Sequence, residues 1–254
     1  MTGAAPLVLL HGANGSAREL APLTDRIPAG TRFFAPDLLA HGGRDVVPAL
    51  SVPAIAADLL DQCDAAGIGQ ADWFGYSFGG LVALWIAAHH PDRVRSIATL
   101  AAKIVYDRRS VAHVTHLLDP QRLESIPRGA ELAETHAPRD WRALARSNRA
   151  MFEAFADEPP LDAAALGRIR QPVLLMAGLE DPLVTSVETR ALAAMLPNAV
   201  TGLFPGTCHP LRNAPLDTVL QTLGRFRIDP DKMVRAARVN LLSYWWAEQS
   251  GGTA

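Results

Sequence analysis

Short runs of apolar residues alternate along the chain with longer stretches in which apolar residues recur every three or four positions. The short runs are continuously apolar, which is typical of strands buried on both faces of a parallel sheet. They predict strands over Pro6–Leu10, Arg32–Pro36, Ala71–Gly75, Ser96–Ala101, Pro172–Ala177 and Ala199–Phe204. The longer stretches predict helices over Ser16–Ile27, Val52–Ala66, Phe78–His89, Ser186–Leu196 and Pro215–Phe226. This alternation predicts an α/β fold with a doubly wound, mostly parallel sheet of about six strands, and ligands bind where the carboxyl ends of such strands meet.

One segment interrupts the alternation. From about Lys103 to Gly167 the pattern offers no strand, but it contains helical stretches such as Arg139–Phe155 separated by prolines. A structureless loop of that length is uncommon in a compact domain, so we predict a helical cap inserted over residues 103–167. The core then comprises residues 1–102 and 168–228, and residues 229–254 form a C-terminal helical extension.

Composition narrows the classes of function. The 254 residues are 49% hydrophobic and 20% charged, which is typical of a globular protein. A formal net charge of −2 argues against a nucleic-acid-binding protein. The two cysteines, Cys63 and Cys208, cannot form a disulfide framework, no apolar stretch approaches the length of a membrane span, and the first residues do not resemble a signal peptide. We therefore expect a cytoplasmic protein without nucleic-acid or membrane partners.

The sharpest motif is Gly75-Tyr76-Ser77-Phe78-Gly79, which lies where a predicted strand ends and a predicted helix begins. A strand-to-helix turn this tight crowds the backbone, so its flanking positions need residues without side chains. The central Ser77 then projects alone over the sheet edge, at the positive end of the helix. The alternative is a glycine-rich connection with an incidental serine. The strand–turn–helix context favours Ser77 as a nucleophile.

A serine nucleophile needs a base within hydrogen-bond reach and an acid that orients the base. Asp181 and His209 each follow a predicted strand, at the sheet edge where Ser77 should lie. Asp107 also follows a strand end and is an alternative acid. Taken singly, Asp181 could cap a helix and His209 could be a surface histidine. Together with Ser77 they form a candidate triad.

A fourth element follows the first predicted strand, in the sequence His11-Gly12-Ala13-Asn14-Gly15-Ser16. A tetrahedral intermediate needs two hydrogen-bond donors aimed at its oxyanion. We expect these donors to be the backbone N–H groups of Ala13 and of Phe78, the residue after the nucleophile. The same loop also fits a glycine-rich turn capped by Ser16, and we expect His11 to be a structural hydrogen-bonding residue.

Together these motifs resemble the α/β-hydrolase superfamily. The resemblance covers nearly all of the first 226 residues and rests on Leu9-Leu10-His11-Gly12, Pro36-Asp37-Leu38 with His41-Gly42, the Ser77 turn, the Asp181 turn and the His209 loop. It implies a central parallel sheet, a helical cap inserted after the sixth strand of the full fold, and the chain order Ser, acid, His. The turn before Pro182 resembles the family more closely than the surroundings of Asp107, which favours Asp181. The resemblance also implies that the family's first two strands are absent, and the tail beyond Phe226 falls outside the family pattern.

The superfamily catalyses many reactions, so the fold alone does not identify this one. A serine at position 77 argues against the dehalogenase and epoxide hydrolase branches, which have aspartate there. The loop at Gly12-Ala13-Asn14-Gly15 differs from those of the prolyl aminopeptidase-like and carbon–carbon hydrolase branches. We therefore expect a serine hydrolase that cleaves an ester, thioester or lactone of a small to medium acyl substrate, without a metal or organic cofactor. Two alternatives stay open: a lyase or synthase that uses the same triad for proton transfer, and a small-molecule receptor.

We expect the cap to set specificity, with a mainly apolar acyl site. Its candidate substrate-binding residues are Tyr106, Trp141, Met151, Phe152 and Phe155. The helical spacing of the last three fits packing against the sheet equally well. A second group could face an anionic end of the substrate or could be solvated: Lys103, His113, His116, His136 and Arg149.

The tail predicts a helix over Asp229–Gln249. One face of that helix would carry Met233, Ala237, Leu241, Tyr244 and Trp245, and Trp246 widens its apolar surface. Packing on the parent domain is one interpretation. A homodimer contact is the other, because exposed tryptophans usually indicate a partner.

Overall fold

A six-stranded parallel sheet forms the centre of the computed structural model, which describes residues 5–47 and 49–238. The strands are β1 (Leu7–Leu10), β2 (Phe33–Phe34), β3 (Ala71–Tyr76), β4 (Val94–Leu100), β5 (Val173–Gly178) and β6 (Ala199–Phe204). Their order across the sheet is β2-β1-β3-β4-β5-β6, and every neighbouring pair is parallel. The prediction of a doubly wound parallel sheet is confirmed.

Helices connect the strands. Within the described residues they are α1 (Ala21–Thr24), α2 (Val52–Ala65), α3 (Phe78–His89), α4 (Arg108–Leu117), α5 (Pro120–Glu124), α6 (Arg128–His136), α7 (Trp141–Ala154), α8 (Ala163–Arg168), α9 (Ser186–Met195), α10 (Leu216–Ile228) and α11 (Pro230–Arg238). Short 3-10 turns occur at Ala17–Leu20, Pro91–Arg93 and Leu211–Asn213. None of the helices in the described ranges is long and apolar enough to cross a membrane.

Both faces of the sheet are buried along β1, β3, β4 and β5, which explains why these strands are mostly apolar. Along β1, Val8 and Leu10 join a core with α2, α3 and α9, whereas Leu7 and Leu9 join a core with α10 and α11. Successive side chains of a strand point to opposite faces, so a strand covered on both sides needs apolar residues at every position. The loops after β1, β3, β5 and β6 all leave the sheet at the edge where the carboxyl ends of its strands lie.

Helices alone fill the described chain between β4 and β5. Of these, α4 packs against α7, and α5 and α6 also contact α7. The last helix of the segment, α8, packs instead against α3 and α9. Phe152 of α7 belongs to the same apolar core as α2 and α3, so the cap helices and the main body share a continuous interior on that side.

The first predicted helix and the second predicted strand are both shorter than expected. In place of a helix over Ser16–Ile27, a 3-10 turn at Ala17–Leu20 leads into the single turn of α1. Strand β2 covers Phe33–Phe34 alone and pairs with β1 at the edge of the sheet. Pro36 has no N–H to donate to a neighbouring strand, so the ladder ends early there.

Over the described residues, the predicted helix Asp229–Gln249 is present and begins one residue later than expected. Helix α10 runs to Ile228, and α11 begins separately at Pro230, since proline favours a first helical position. Val234 of α11 is buried in the core that contains α10, so this part of the extension packs on the parent domain. Leu241, Tyr244, Trp245 and Trp246 lie outside the described residues, and the homodimer contact stays a prediction.

Candidate active site

Ser77 lies on a sharp turn between β3 and α3. Its backbone has φ 51° and ψ −117°, a region that costs a non-glycine residue of the order of 1–3 kcal/mol. The turn is possible only because Gly75 and Gly79, two residues to either side of Ser77, lack side chains. A Cβ on Gly75 would lie 2.4 Å from the Gly79 backbone, and one on Gly79 would lie 2.6 Å from the Leu10 carbonyl oxygen. The crowding brings the end of β1 against the start of α3, beside the serine.

Ser77, His209 and Asp181 form one continuous chain of hydrogen bonds. Ser77 Oγ lies 3.1 Å from His209 Nε2, and His209 Nδ1 lies 2.8 Å from Asp181 Oδ2. Asp181 Oδ1 accepts from the backbone N–H groups of Leu183 and Val184 at 2.8 and 3.0 Å. The carboxylate therefore caps the turn after β5 with one oxygen and orients the imidazole with the other. Its side chain is fully buried, so water does not compete for either contact.

The loops that carry the acid and the base are bonded to each other. Glu180 accepts from the Thr207 N–H at 2.9 Å and donates its own N–H to the Thr207 carbonyl oxygen at 3.1 Å. The alternative acid, Asp107, is occupied elsewhere. It caps the N-terminus of α4 by accepting from the Ser110 N–H at 2.7 Å. The geometry brings Asp181, and not Asp107, to His209.

Tyr76 also holds the loop that carries His209. Its hydroxyl donates to the His209 carbonyl oxygen at 3.0 Å, and its ring lies 5.8 Å from the imidazole ring. Burial raises the pKa of this phenol, so the hydroxyl stays a donor at neutral pH. The residue before the nucleophile thus contributes to the position of the base.

The predicted oxyanion loop lies against the nucleophile. Ala13 and Phe78 both line the cleft beside Ser77. Phe78 is the first residue of α3, and the first N–H groups of a helix have no partner within it. His11 is buried and structural, as expected: its Nδ1 bonds to the Gly12 carbonyl oxygen and its Nε2 accepts from the Leu38 N–H at 3.1 Å.

Glu19 is an additional carboxylate at this loop. It accepts from the Gly12 N–H at 3.0 Å and lies 3.9 Å from the Arg128 guanidinium of the cap. Burial raises its pKa, and the contact with Gly12 opposes that shift. Because Glu19 lines the cleft, it places a partly buried acid near the oxyanion loop.

A cleft of about 750 Å³ opens above Ser77, between the sheet edge and the cap. That volume is typical of small-molecule sites. One part of its wall is apolar and includes Phe78, Tyr106, Leu117, Leu118, Phe152 and Val184. Another part is charged and includes Arg18, Glu19, Arg128, Glu131, Glu134 and Arg212. The cleft can therefore hold an apolar chain and a polar group of the same molecule.

The five candidate substrate-binding residues lie in three different surroundings. Tyr106 and Phe152 line the cleft, where their rings lie 5.8 Å apart. Met151 and Phe155 are buried in the main core instead, as the packing interpretation of their spacing required. Trp141 packs in a small cluster between cap helices and does not line the cleft. It begins α7, far along the helix from Phe152, so its face meets α5 and α6 and not the cleft.

The five candidate residues for an anionic end have other surroundings. Lys103 lines the cleft but is paired with Glu188, and Arg149 is paired with Glu153 and Asp119. His113 and His116 are exposed on α4. The expectation for His136 is wrong: it is buried, with Nε2 3.1 Å from the Asn14 carbonyl oxygen and Nδ1 accepting from the Gly42 N–H.

Sequence reasoning missed Glu19, Tyr76 and Asn148 as residues that support the site. Asn148 is fully buried on α7 and donates to the Asn14 side chain at 2.7 Å. A sequence signal for it existed. Asn148 lies four residues after Leu144 and three before Met151, so a polar residue stands on the apolar face of α7.

Comparisons with known proteins identify the family of the chain. The model of a family described as alpha/beta hydrolase fold matches residues 5–153. The chain is 30% identical over 243 residues to a pimeloyl-[acyl-carrier protein] methyl ester esterase from Xanthomonas oryzae pv. oryzae, covering 87% of this chain and 94% of the relative. A protein of the same name from Neisseria meningitidis serogroup B is 39% identical over 94 residues, which cover 37% of this chain and 35% of the relative.

Solved structures share the fold at lower identity. A thermophilic esterase from Thermogutta terrifontis superposes with a TM-score of 0.72 at 19% identity, covering 87% of this chain and 89% of the other. The enol-lactonase from Burkholderia xenovorans LB400 gives a TM-score of 0.70 at 21% identity, covering 89% and 92%. The fold and the sequence matches define a hydrolytic enzyme. The chain belongs to the α/β-hydrolase family.

Proposed function

We propose that this protein hydrolyses carboxylic esters through an acyl-enzyme on Ser77. The observation that carries the proposal is the unbroken contact from Ser77 Oγ through the imidazole of His209 to the buried carboxylate of Asp181. A hydroxyl becomes a nucleophile when a base takes its proton, and the base works when an acid fixes its tautomer. Two contacts support these two requirements: Ser77 Oγ lies 3.1 Å from His209 Nε2, and His209 Nδ1 lies 2.8 Å from Asp181 Oδ2.

In this mechanism His209 Nε2 accepts the Ser77 proton as Oγ attacks the ester carbonyl carbon. Asp181 keeps the other imidazole proton on Nδ1 and stabilises the cation that forms. The N–H groups of Ala13 and Phe78 stabilise the oxyanion. His209 then protonates the leaving alkoxide, which departs as an alcohol. Water attacks the acyl-enzyme by the reverse sequence and releases the acid.

The cleft supports an acyl chain of medium length. Its apolar wall suits a hydrocarbon chain, and each buried methylene contributes about 0.8 kcal/mol, or roughly fourfold in kcat/KM. The curated relatives are named for a methyl ester of a pimeloyl group on a carrier protein. The charged wall near Arg128 and Arg212 suits a polar group at the other end of such a substrate. We therefore propose esters with a small alcohol and an acyl chain of several carbons.

The test is hydrolysis of p-nitrophenyl esters from acetyl to decanoyl, of monomethyl esters of dicarboxylic acids and of acyl-CoA thioesters. Wild type is compared with Ser77→Ala and with Ser110→Ala, a serine that caps α4 away from the triad. We expect activity that rises with chain length, is lost in Ser77→Ala and is retained in Ser110→Ala.

Two results would contradict the proposal. Labelling of Ser77 by a fluorophosphonate without turnover of any ester would favour a lyase or synthase. Absence of both labelling and turnover in a folded preparation would favour a receptor. Activity that does not rise from acetyl to longer acyl esters would refute the apolar acyl site alone.

A further inference from the structure

The oxyanion loop is a four-residue turn whose shape depends on Asn14. The Gly15 N–H donates to the Gly12 carbonyl oxygen at 3.0 Å, so Ala13 and Asn14 are the central residues of the turn. Asn14 has φ 53°, a left-handed conformation that is disfavoured for residues other than glycine and is tolerated best by asparagine and aspartate. The direction of the Ala13 N–H therefore depends on the contacts that keep Asn14 in this conformation.

Two of those contacts come from the cap. Asn148 of α7 donates its side-chain amide to Asn14 Oδ1 at 2.7 Å. His136, at the end of α6, has its Nε2 3.1 Å from the Asn14 carbonyl oxygen. All three residues are buried, so solvent does not replace either bond. The cap thus holds both the side chain and the backbone of the residue next to Ala13.

The surroundings determine which atoms donate. His41 Nδ1 bonds to the Leu39 carbonyl oxygen, which leaves Nε2 as an acceptor 3.2 Å from the Asn148 amide nitrogen. Burial lowers the pKa of His41 well below its usual value, so the ring stays neutral. His136 accepts the Gly42 N–H at Nδ1, so its proton is on Nε2, facing Asn14. Neither cap residue can therefore turn its donor away without losing a second bond.

We propose that Asn148 and His136 are positioning residues. They hold the oxyanion loop (residues 11–16) in the conformation that aims the Ala13 N–H at the oxyanion, and they make acyl transfer depend on the packing of the cap against this loop. The inference rests on the proposed function, because it takes the Ala13 N–H as an oxyanion donor. Losing either contact frees Asn14 to leave its left-handed conformation and misdirects that N–H. A misdirected donor weakens the transition state and leaves the bound ester almost unaffected, so kcat falls and KM does not.

The experiment replaces each donor and keeps the size of the side chain. Asn148→Leu removes the amide. His136→Leu removes the ring nitrogens, whereas His136→Gln keeps an N–H near the position of Nε2. The measurements are kcat and KM with p-nitrophenyl butyrate, and the inhibition constant of an alkylboronic acid. Its tetrahedral adduct with Ser77 places an oxygen in the oxyanion hole, so it reports the donor geometry directly.

Leu144→Ala is the matched control, since Leu144 is buried on the same helix and does not line the cleft. Complete loss of one oxyanion donor costs about 100- to 1,000-fold in kcat, so a misdirected donor predicts roughly 10- to 100-fold. We expect Asn148→Leu and His136→Leu to show that loss, an equal loss of boronic acid affinity and a KM within about twofold of wild type. We expect His136→Gln and Leu144→Ala to retain kcat, although Leu144→Ala lowers the melting temperature.

Wild-type kcat in both leucine variants would overturn the inference. So would an equal loss of kcat in Leu144→Ala at an equal fall in melting temperature. If Asn148→Leu does not fold, the comparison of His136→Leu with His136→Gln tests the inference, because only glutamine keeps an N–H that can donate to the Asn14 carbonyl oxygen. An inactive wild type refutes the proposed function and this inference with it. An active wild type with unaffected leucine variants refutes the inference alone.

Discussion

Replacing Asp181 by asparagine tests the triad most directly, because the change removes one function of the side chain and keeps the other. The retained oxygen still accepts from the N–H groups of Leu183 and Val184. The new amide group faces His209 Nδ1, where a carboxylate oxygen lies at 2.8 Å in wild type. Since an amide N–H donates and cannot accept a hydrogen bond from Nδ1–H, the imidazole must adopt the other tautomer. Its Nε2 then carries a hydrogen and cannot take the proton of Ser77.

The structure separates two contributions to the expected loss. A hydrogen bond to a charged group contributes about 1.5–3 kcal/mol, which corresponds to roughly 10- to 150-fold in rate. The wrong tautomer adds to this, and in a serine protease triad the same substitution lowers kcat by about 10⁴. At about 1.36 kcal/mol for each factor of ten, that loss corresponds to between 5 and 6 kcal/mol. We expect Asp181→Asn to approach the larger value, because the buried carboxylate has no water to substitute for it.

The assay is kcat/KM with p-nitrophenyl butyrate, together with the urea midpoint of each variant. Asp107→Asn is the control, since Asp107 is the other acid that follows a strand end and it caps α4. We expect Asp107→Asn to keep wild-type activity and a urea midpoint close to that of wild type, because asparagine caps a helix about as well as aspartate.

Three outcomes are informative. A loss of only 10- to 100-fold in Asp181→Asn would refute the tautomer argument and leave an electrostatic role. A loss below tenfold would remove Asp181 from the triad. A large loss of kcat/KM in Asp107→Asn together with an active Asp181→Asn would show that Asp107, and not Asp181, is the acid of the triad.

Two further predictions concern residues that support the site. Burial lowers the pKa of His11 from 6.5 to about 4, so below pH 6.5 the unfolded chain binds a proton that the native state does not. The contribution of neutral His11 to the free energy of unfolding is complete above pH 6.5, and about 3 kcal/mol of it is lost by pH 4. Urea titrations at several pH values should therefore show that the free energy of unfolding falls less steeply toward low pH in His11→Gln than in wild type. Parallel pH dependences would contradict this. Tyr76→Phe removes the hydroxyl that holds the His209 carbonyl oxygen at 3.0 Å. It should cost about 1 kcal/mol in unfolding free energy and lower kcat severalfold at constant KM, and a changed KM with normal kcat would argue against it.

Much of the fold could be predicted because its physical cause is local. Strands buried on both faces must be largely apolar, so the fully buried strand β5 (Val173–Gly178) is visible as an apolar run and lies within one residue of the predicted Pro172–Ala177. The turn at Ser77 requires small neighbours on both sides, which leaves Gly75 and Gly79 in the sequence. The predictions of length that were wrong concern segments in which a proline opposes the apolar pattern. Pro22 and Pro36 lie inside the helix and strand that were expected near the N-terminus, and both elements are short.

The positions of Ser77, Asp181 and His209 in the chain follow from the order of the strands, so the sequence alone determined which residues to consider for the proposed triad. Tertiary structure decided the choice between Asp181 and Asp107, because it depends on which carboxylate comes within 2.8 Å of His209 Nδ1. It also decided which cap side chains face the cleft, since Phe152 and Trp141 lie on one amphipathic helix and only the packing of that helix separates them. Asn148 is the clearest case of a contact that the sequence alone does not determine. Its place on an apolar face marked it as unusual, but its partner is 134 residues away, and only the folded chain brings the two together.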